Sequence, residues 1–281
     1  MTATARPVPA SQGFGSRASS PQGSGPQSLG HPSRLRALAI ASGKGGVGKT
    51  WLAISLAHAL ARLQERVLLF DGDLGLANVD IQLGLMPRSD LGAVIERGRA
   101  VADAITNYGP GNFDVVAGRA GTAALAAMSG ERLAKLSDEL FQTAARYDRL
   151  LLDLGAGVER TVRQLCRRAG SVLVVTTDEP TALTDAYAFI KLGVSQGDIG
   201  DLRIAVNMAG SIAEGERTYA TLLRACQSFL KIEPPLAGVI RRDARVKDSI
   251  RAQTPVAIRH PDSAAAADVM ALARKLKEAR P

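Results

Sequence analysis

The chain has 281 residues, 46% of them hydrophobic and 4% aromatic, and a formal net charge of +8. That length buries one large core or two small ones, and so few aromatics mean a core of Ala, Val, Leu and Ile. No apolar run approaches the roughly 20 residues that span a bilayer, and two isolated cysteines, Cys166 and Cys226, exclude a disulfide scaffold or a cysteine-built zinc site. Residues 1–34 hold three arginines and no acid, and Gly, Pro and Ser fill half of the positions. Such a stretch cannot offset its ordering entropy by burial. It is expected to be a disordered cytosolic leader, with a partner-docking peptide as the second reading. It lacks the apolar stretch of a secretory signal.

From residue 35 the texture changes. Residues 35–41 form a short apolar run, expected to be a buried strand. The loop Gly43-Lys44-Gly45-Gly46-Val47-Gly48-Lys49-Thr50 follows, and then a helical pattern to about residue 63 with apolar Leu52, Ala53, Leu56, Ala57 and Leu60. Residues 43–50 fit GxxxxGK[ST] at every fixed position, in the strand–loop–helix setting that a phosphate-binding loop needs. Glycines let successive backbone N–H groups turn toward a phosphate, and the new helix aims about half a positive charge at the same spot. Lys49 is placed to reach the terminal phosphates, and the Thr50 hydroxyl to ligate Mg²⁺.

The later elements alternate in the same way. A strand over 66–70 ends at Asp71-Gly72-Asp73, a second covers 113–117, and a helix over 131–146 aligns Leu133, Leu136 and Leu140. A strand over 149–153 ends on Asp153, and a Val/Leu strand covers 171–176. A helix is expected over 181–194, a strand over 202–208 containing Asn207, and a helix over 214–230. A short strand over 236–240 and a closing helix over 263–279 complete the chain. Repeated β-then-α units with strands too apolar to face water predict one doubly wound α/β domain over 35–281. Its sheet would be mostly parallel and covered on both faces, with no second-domain boundary and no internal repeat. The ligand then belongs at the carboxyl ends of the strands.

Two carboxylate sites fall there. Asp153, followed by Gly155 and Gly157, is suited to hold Mg²⁺ through its waters, and capping of the next helix is compatible with that role. Asp71 and Asp73 sit at alternate positions, so one could orient attacking water and the other support the metal, unless they only shape a turn. Lys44 is the distinctive residue. A phosphate loop needs only Lys49, and two inward lysines repel each other unless a phosphate separates them. A lysine reaching outward, to a phosphate held by a second subunit, resolves the conflict and supplies the charge of an arginine finger.

With that lysine in place, Lys44-Gly-Gly-Val-Gly-Lys-Thr50 resembles the deviant Walker A box of the MinD/ParA ATPases. Asp71-Gly-Asp-Leu-Gly-Leu-Ala-Asn-Val-Asp80 and Asp178-Glu-Pro-Thr-Ala-Leu-Thr-Asp-Ala-Tyr187 resemble one branch of that family, the flagellar regulators FlhG, FleN and YlxH. The resemblance implies a MinD-like ATPase that dimerises with ATP, dissolves the dimer on hydrolysis and governs flagellar number or placement. By position it implies Lys44 acting across the dimer, and Lys49 and Thr50 on phosphate and Mg²⁺. Asp73 would position water and stand near the metal, and Asp153 would serve as the switch II carboxylate. Asn207 would contact adenine, flanked by Arg242 and Asp243. Implied partners are an FlhF-like GTPase of the SRP type, a transcription regulator or basal-body and C-ring proteins. The implied location is the cytoplasm, or the inner face of the membrane or cell pole.

The sequence also departs from that branch. Residues 1–34 lack the Asp-Gln-Ala motif through which FlhG proteins stimulate FlhF, and Arg241 stands where the family usually has Pro. The family's separate amphipathic membrane helix is not evident either. Val269, Leu272, Ala273 and Leu276 make an apolar stripe better spent completing the core, so membrane contact is expected to be weak or indirect. Two rivals remain. One is a ParA-type partition ATPase binding DNA without sequence preference, through Arg163, Arg167 and Arg168 or Arg241, Arg242, Arg245, Lys247 and Arg251. The other is a ligase like cobyrinic acid a,c-diamide synthase, which needs a nucleophilic cysteine.

Overall fold

The computed structural model describes residues 1–2, 36–73, 77–118 and 128–279. Most of the expected leader, residue 35 of the first strand and residues 74–76 of the 71–80 segment lie outside them. Residues 34–281 make one compact unit. Among the described residues eight strands form one sheet: β1 (Arg36–Ser42), β2 (Val67–Gly72), β3 (Ile105–Tyr108), β4 (Phe113–Val116), β5 (Arg149–Ala156), β6 (Ser171–Thr176), β7 (Asp201–Ala209) and β8 (Leu236–Arg241). Their order is β3-β4-β2-β5-β1-β6-β7-β8, parallel throughout except for the antiparallel edge strand β3. The chain leaves β1 toward β2 on one side and later returns to β6 on the other. The crevice at the carboxyl end of β1 is therefore the switch point where such sheets take their ligands.

Ten helices accompany the sheet: α1 (Lys49–Arg62), α2 (Val79–Leu83), α3 (Leu91–Arg97), α4 (Gly130–Ala144), α5 (Arg160–Ala169), α6 (Pro180–Ser195), α7 (Ile212–Ala225), α8 (Ala244–Arg251), α9 (Val256–Arg259) and α10 (Ala264–Glu278), counted among the described residues. Strand alternation feeds a separate core on each face. Leu38 and Ile40 of β1 join α1 and α10, whereas Ala39 and Ala41 face the layer of α4, α5 and α6. Helix α1 is buried on nearly every side, from Trp51 to Ala61. That explains its Ala-rich and all-round apolar sequence, because it is enclosed between the sheet and α10.

The closing helix is core. Val269, Leu272, Ala273 and Leu276 are each 5% exposed or less. Full burial of each larger side chain contributes roughly 1.5–3 kcal/mol. The C-terminal end of α10 is fastened by a buried ionic group. Glu65 takes Arg149 at 3.0 Å and Arg36 at 2.9 Å. The same arginines donate to the carbonyls of Leu276 and Lys277 at 3.2 and 2.8 Å. Glu65→Ala leaves Arg149 buried without its counter-ion. It is expected to cost about 3–5 kcal/mol in urea unfolding, the range for breaking a buried pair by removing one partner.

Candidate functional site

The phosphate loop runs from Ser42 at the end of β1 to Lys49 at the start of α1. Gly46 (φ +80°) and Gly48 (φ +86°) take left-handed backbone that L side chains resist. Helix α1 has no side-chain cap and no acid in its first turn, so its leading N–H groups are left for an anion. Gly43 is required for a different reason. A Cβ there would lie 2.0 Å from the Asp185 carbonyl oxygen of α6, which rests directly on the loop entry. Gly43→Ala is therefore expected to lower both the melting temperature and ATP affinity, read by calorimetry, because backbone rather than a flexible side chain must yield.

A cleft of about 550 Å³ opens over the loop, lined by Lys49, Thr50, Asp73, Asn78, Gly155 and Glu159 among others. Lys49 is 8% exposed, and burial lowers its pKa against the opposing pull of Asp153 and Asp73. Asp153 is 1% exposed, and neither of its buried oxygens has a hydrogen-bond partner of good geometry. Burial, then the charge of Asp71, pushes its carboxyl well above the usual carboxylate range, with Thr50 and Lys49 opposing. Two orphaned carboxylate oxygens beside a threonine hydroxyl fit Mg²⁺. Among the described residues there is no cluster of three His, Cys, Asp or Glu to cage a metal. Because the cation needs the ionised carboxylate, Mg–nucleotide affinity is expected to rise with pH through the neutral range with proton release. Calorimetry in buffers of different ionisation enthalpy reads that release.

Asp71 is engaged by backbone in this fold. It is fully buried, and its carboxylate accepts the backbone N–H groups of Asp73, Asn78 and Val79 at 3.3, 3.1 and 3.0 Å. It thereby caps α2 from outside, where Asn78 at the N-cap position makes no side-chain cap. Burial pushes the Asp71 carboxyl up to about 7, with the three N–H groups opposing. Asp73 is left at the strand tip facing Gly155, where a Cβ would lie 3.4 Å from its Oδ1.

Lys44 points out of the cradle. Its Nζ donates to Glu179 Oε2 at 2.7 Å and to Thr181 Oγ1 at 2.8 Å, at the start of α6. The sequence reading missed both acceptors, although they lie in the 178–187 stretch that it singled out. Asn207 is buried at the end of β7, and its Nδ2 donates to the Val47 carbonyl at 2.8 Å. Arg242 Nε reaches the Met208 carbonyl at 3.3 Å. The Asp243 carboxylate caps α8 through Arg245 N and pairs with the Arg245 guanidinium, both at 3.0 Å. Arg241 uses its own N–H and its guanidinium on Asp268 of α10. A proline there would lack the first of these bonds.

The rival functions lose support. Arg163 and Arg167 face Asp198, Arg168 faces Asp138, and Arg241 and Arg245 face Asp268 and Asp243. Arg163, Arg167 and Arg168 of the first run, and Arg241 and Arg245 of the second, thus have acidic partners within the chain. Cys166 is fully buried and its thiol is pushed up to about 12, chiefly by burial, which leaves no thiolate for amide chemistry.

The CobQ/CobB/MinD/ParA nucleotide binding domain matches residues 38–256. The chain belongs to this family. It is 39% identical over 246 residues to the antiactivator FleN of Pseudomonas aeruginosa, covering 88% of this chain and 87% of that protein. It is 32% identical over 216 residues to the flagellum site-determining protein YlxH of Helicobacter pylori, covering 76% and 72%. Among solved structures, the cell division ATPase MinD of Pyrococcus furiosus shares 25% identity at a TM-score of 0.74, over 86% of this chain and 98% of that one. The MinC:MinD cell division protein complex of Aquifex aeolicus shares 26% at 0.71, over 88% and 98%. These matches agree with a nucleotide-binding domain of MinD-like fold.

Proposed function

We propose that this MinD-like protein is a Mg²⁺-dependent ATPase switch that sets flagellar number or placement, pairing with a second copy on ATP and separating on hydrolysis. The observation that carries this reading is the pair of lysines: Lys49 buried in the cradle, and Lys44 turned outward onto Glu179 and Thr181. Likeness to FleN and to the flagellum site-determining YlxH supports the flagellar assignment. Residues 35–281 would be the ATPase domain and residues 1–34 a separate leader.

Roles follow from position. Lys49 and the backbone N–H groups of residues 43–50 would hold the triphosphate, and Thr50 and Asp153 would hold Mg²⁺, which neutralises charge developing on the phosphates. Asp73 would orient the attacking water near that metal, while Asp71 keeps its backbone in place. Lys44 would leave Glu179 for the nucleotide of the other subunit. Asn207 would face the base through its remaining amide oxygen, with Arg242 alongside and Asp243 acting indirectly through the cap of α8. Partners would be an FlhF-like GTPase, a transcription regulator or a C-ring component, met in the cytoplasm or at the inner membrane face or cell pole.

Sedimentation velocity tests the switch. The mass is expected to double with Mg²⁺ and a slowly hydrolysed ATP analogue, and to stay at one copy with ADP. A single subunit at saturating analogue overturns the proposal. Counting flagella per cell after gene deletion tests the flagellar assignment, and an unchanged count overturns it.

A further inference from the structure

The bond between Asn207 and the phosphate loop has a consequence for how the nucleotide is bound. The Val47 carbonyl and the Gly48 N–H share one rigid peptide plane and point in opposite directions. With that carbonyl held by Asn207 Nδ2 at 2.8 Å, the Gly48 N–H is directed away from Asn207, and Gly48 itself lines the cleft over the loop. Both ends of the bond are enclosed, with Val47 3% and Asn207 2% exposed. Gly48 is tightly fitted against the same place. A Cβ on it would lie 2.5 Å from Asn207 Nδ2 and 3.1 Å from Met208 Cε.

The support behind Asn207 is irregular in a way that suits a clamp. Met208 takes φ +56°, a strained value for an unbranched non-glycine residue. The β7–β8 register shifts between Val206 and Ala209. Arg242 fastens the distortion, giving its N–H to the Ala209 carbonyl at 2.8 Å and its Nε to the Met208 carbonyl at 3.3 Å. The strand tip that faces the base side is thus joined to the apex of the phosphate loop.

We propose that Asn207 is a positioning residue for the phosphate cradle as well as a base contact, so that base and triphosphate bind cooperatively through the Asn207–Val47 bond. The proposal rests on the nucleotide-binding role given above, and it adds that filling the base side rigidifies the loop. A residue that only reads adenine affects binding only when a base is present. A residue that shapes the cradle also affects a ligand with no base at all.

Inorganic tripolyphosphate with Mg²⁺ is that ligand. Its affinity for the full chain is expected to fall about tenfold or more in Asn207→Ala, within the usual span of coupling between sites, with ATP falling at least as far. Circular dichroism and the melting curve check that the variant is folded. Unchanged tripolyphosphate affinity beside weakened ATP binding overturns the proposal and leaves the nucleotide site standing. If Asn207→Ala does not fold, hydrogen exchange on the unaltered protein decides. Saturating adenosine, which has no phosphate, is expected to slow exchange at the amides of residues 45–50. Protection confined to residues 207–209 and 242–243 overturns the coupling. Failure of the unaltered protein to bind either ATP or tripolyphosphate overturns both this proposal and the function on which it rests.

Discussion

Asp73→Ala protein is expected to accumulate as an ATP-bound dimer while its hydrolysis rate falls by about 10²–10⁴-fold, the usual contribution of a positioned proton acceptor. The carboxylate stands at the tip of β2, against the Gly155 backbone of the loop that follows Asp153. On the role proposed for it, removing Asp73 deletes the group that would orient water. Asp71, not Asp73, holds the amides of Asn78 and Val79 and so keeps α2 and the loop entry in place. Lys49, Thr50 and the glycine backbone, the proposed phosphate ligands, remain in that variant, so affinity is expected to be kept while turnover is lost. Phosphate release and sedimentation read the two effects separately. Hydrolysis at the unaltered rate removes Asp73 from the water-activating role, and a hydrolysis-deficient variant that stays a single subunit with ATP breaks the link between hydrolysis and separation.

The central unit β1–loop–α1 was legible because every signal there is local: a run of apolar residues, fixed glycine spacing and an all-round apolar helix. The edge was not. Strand β3 is four residues with half-exposed Ile105 and Thr106, and its antiparallel pairing to β4 comes from the sheet rather than from any alternation of its own. Helix α2 is five residues and takes its cap from Asp71, outside the helix, so no local start signal marks it. The expected helix over 214–230 merges two states, α7 to Ala225 and a wider turn over Cys226–Leu230. The site divides in the same way. Residue types in the phosphate loop declare themselves, whereas Glu179 lies 135 positions from Lys44 and Asn207 lies 160 from Val47. Only folding brings those partners together. The ion pairs of the basic runs are non-local as well, since Asp198 lies 35 positions from Arg163 and Asp268 lies 27 from Arg241.

Lys44→Ala is expected to abolish the ATP-dependent dimer while leaving ATP binding to the single subunit nearly unchanged. Lys44 Nζ is engaged by Glu179 and Thr181 at the start of α6, so its loss is expected to cost the cradle little. Across a two-fold interface every contact occurs twice. Close charge pairs between subunits are worth about 1.5–7 kcal/mol each, and even the lower value taken twice weakens the dimer about a hundredfold. Glu179→Ala separates this account from a general surface effect. It removes the acid that would compete with phosphate for Lys44, and an exposed pair of this kind is a weak restraint. The dimer is therefore expected to form at the same or lower ATP concentration in Glu179→Ala, the opposite sign to Lys44→Ala. Light scattering across an ATP titration reads both. Equal loss of dimer in the two variants would mean that the Lys44–Glu179 contact builds the interface instead of releasing the lysine to it.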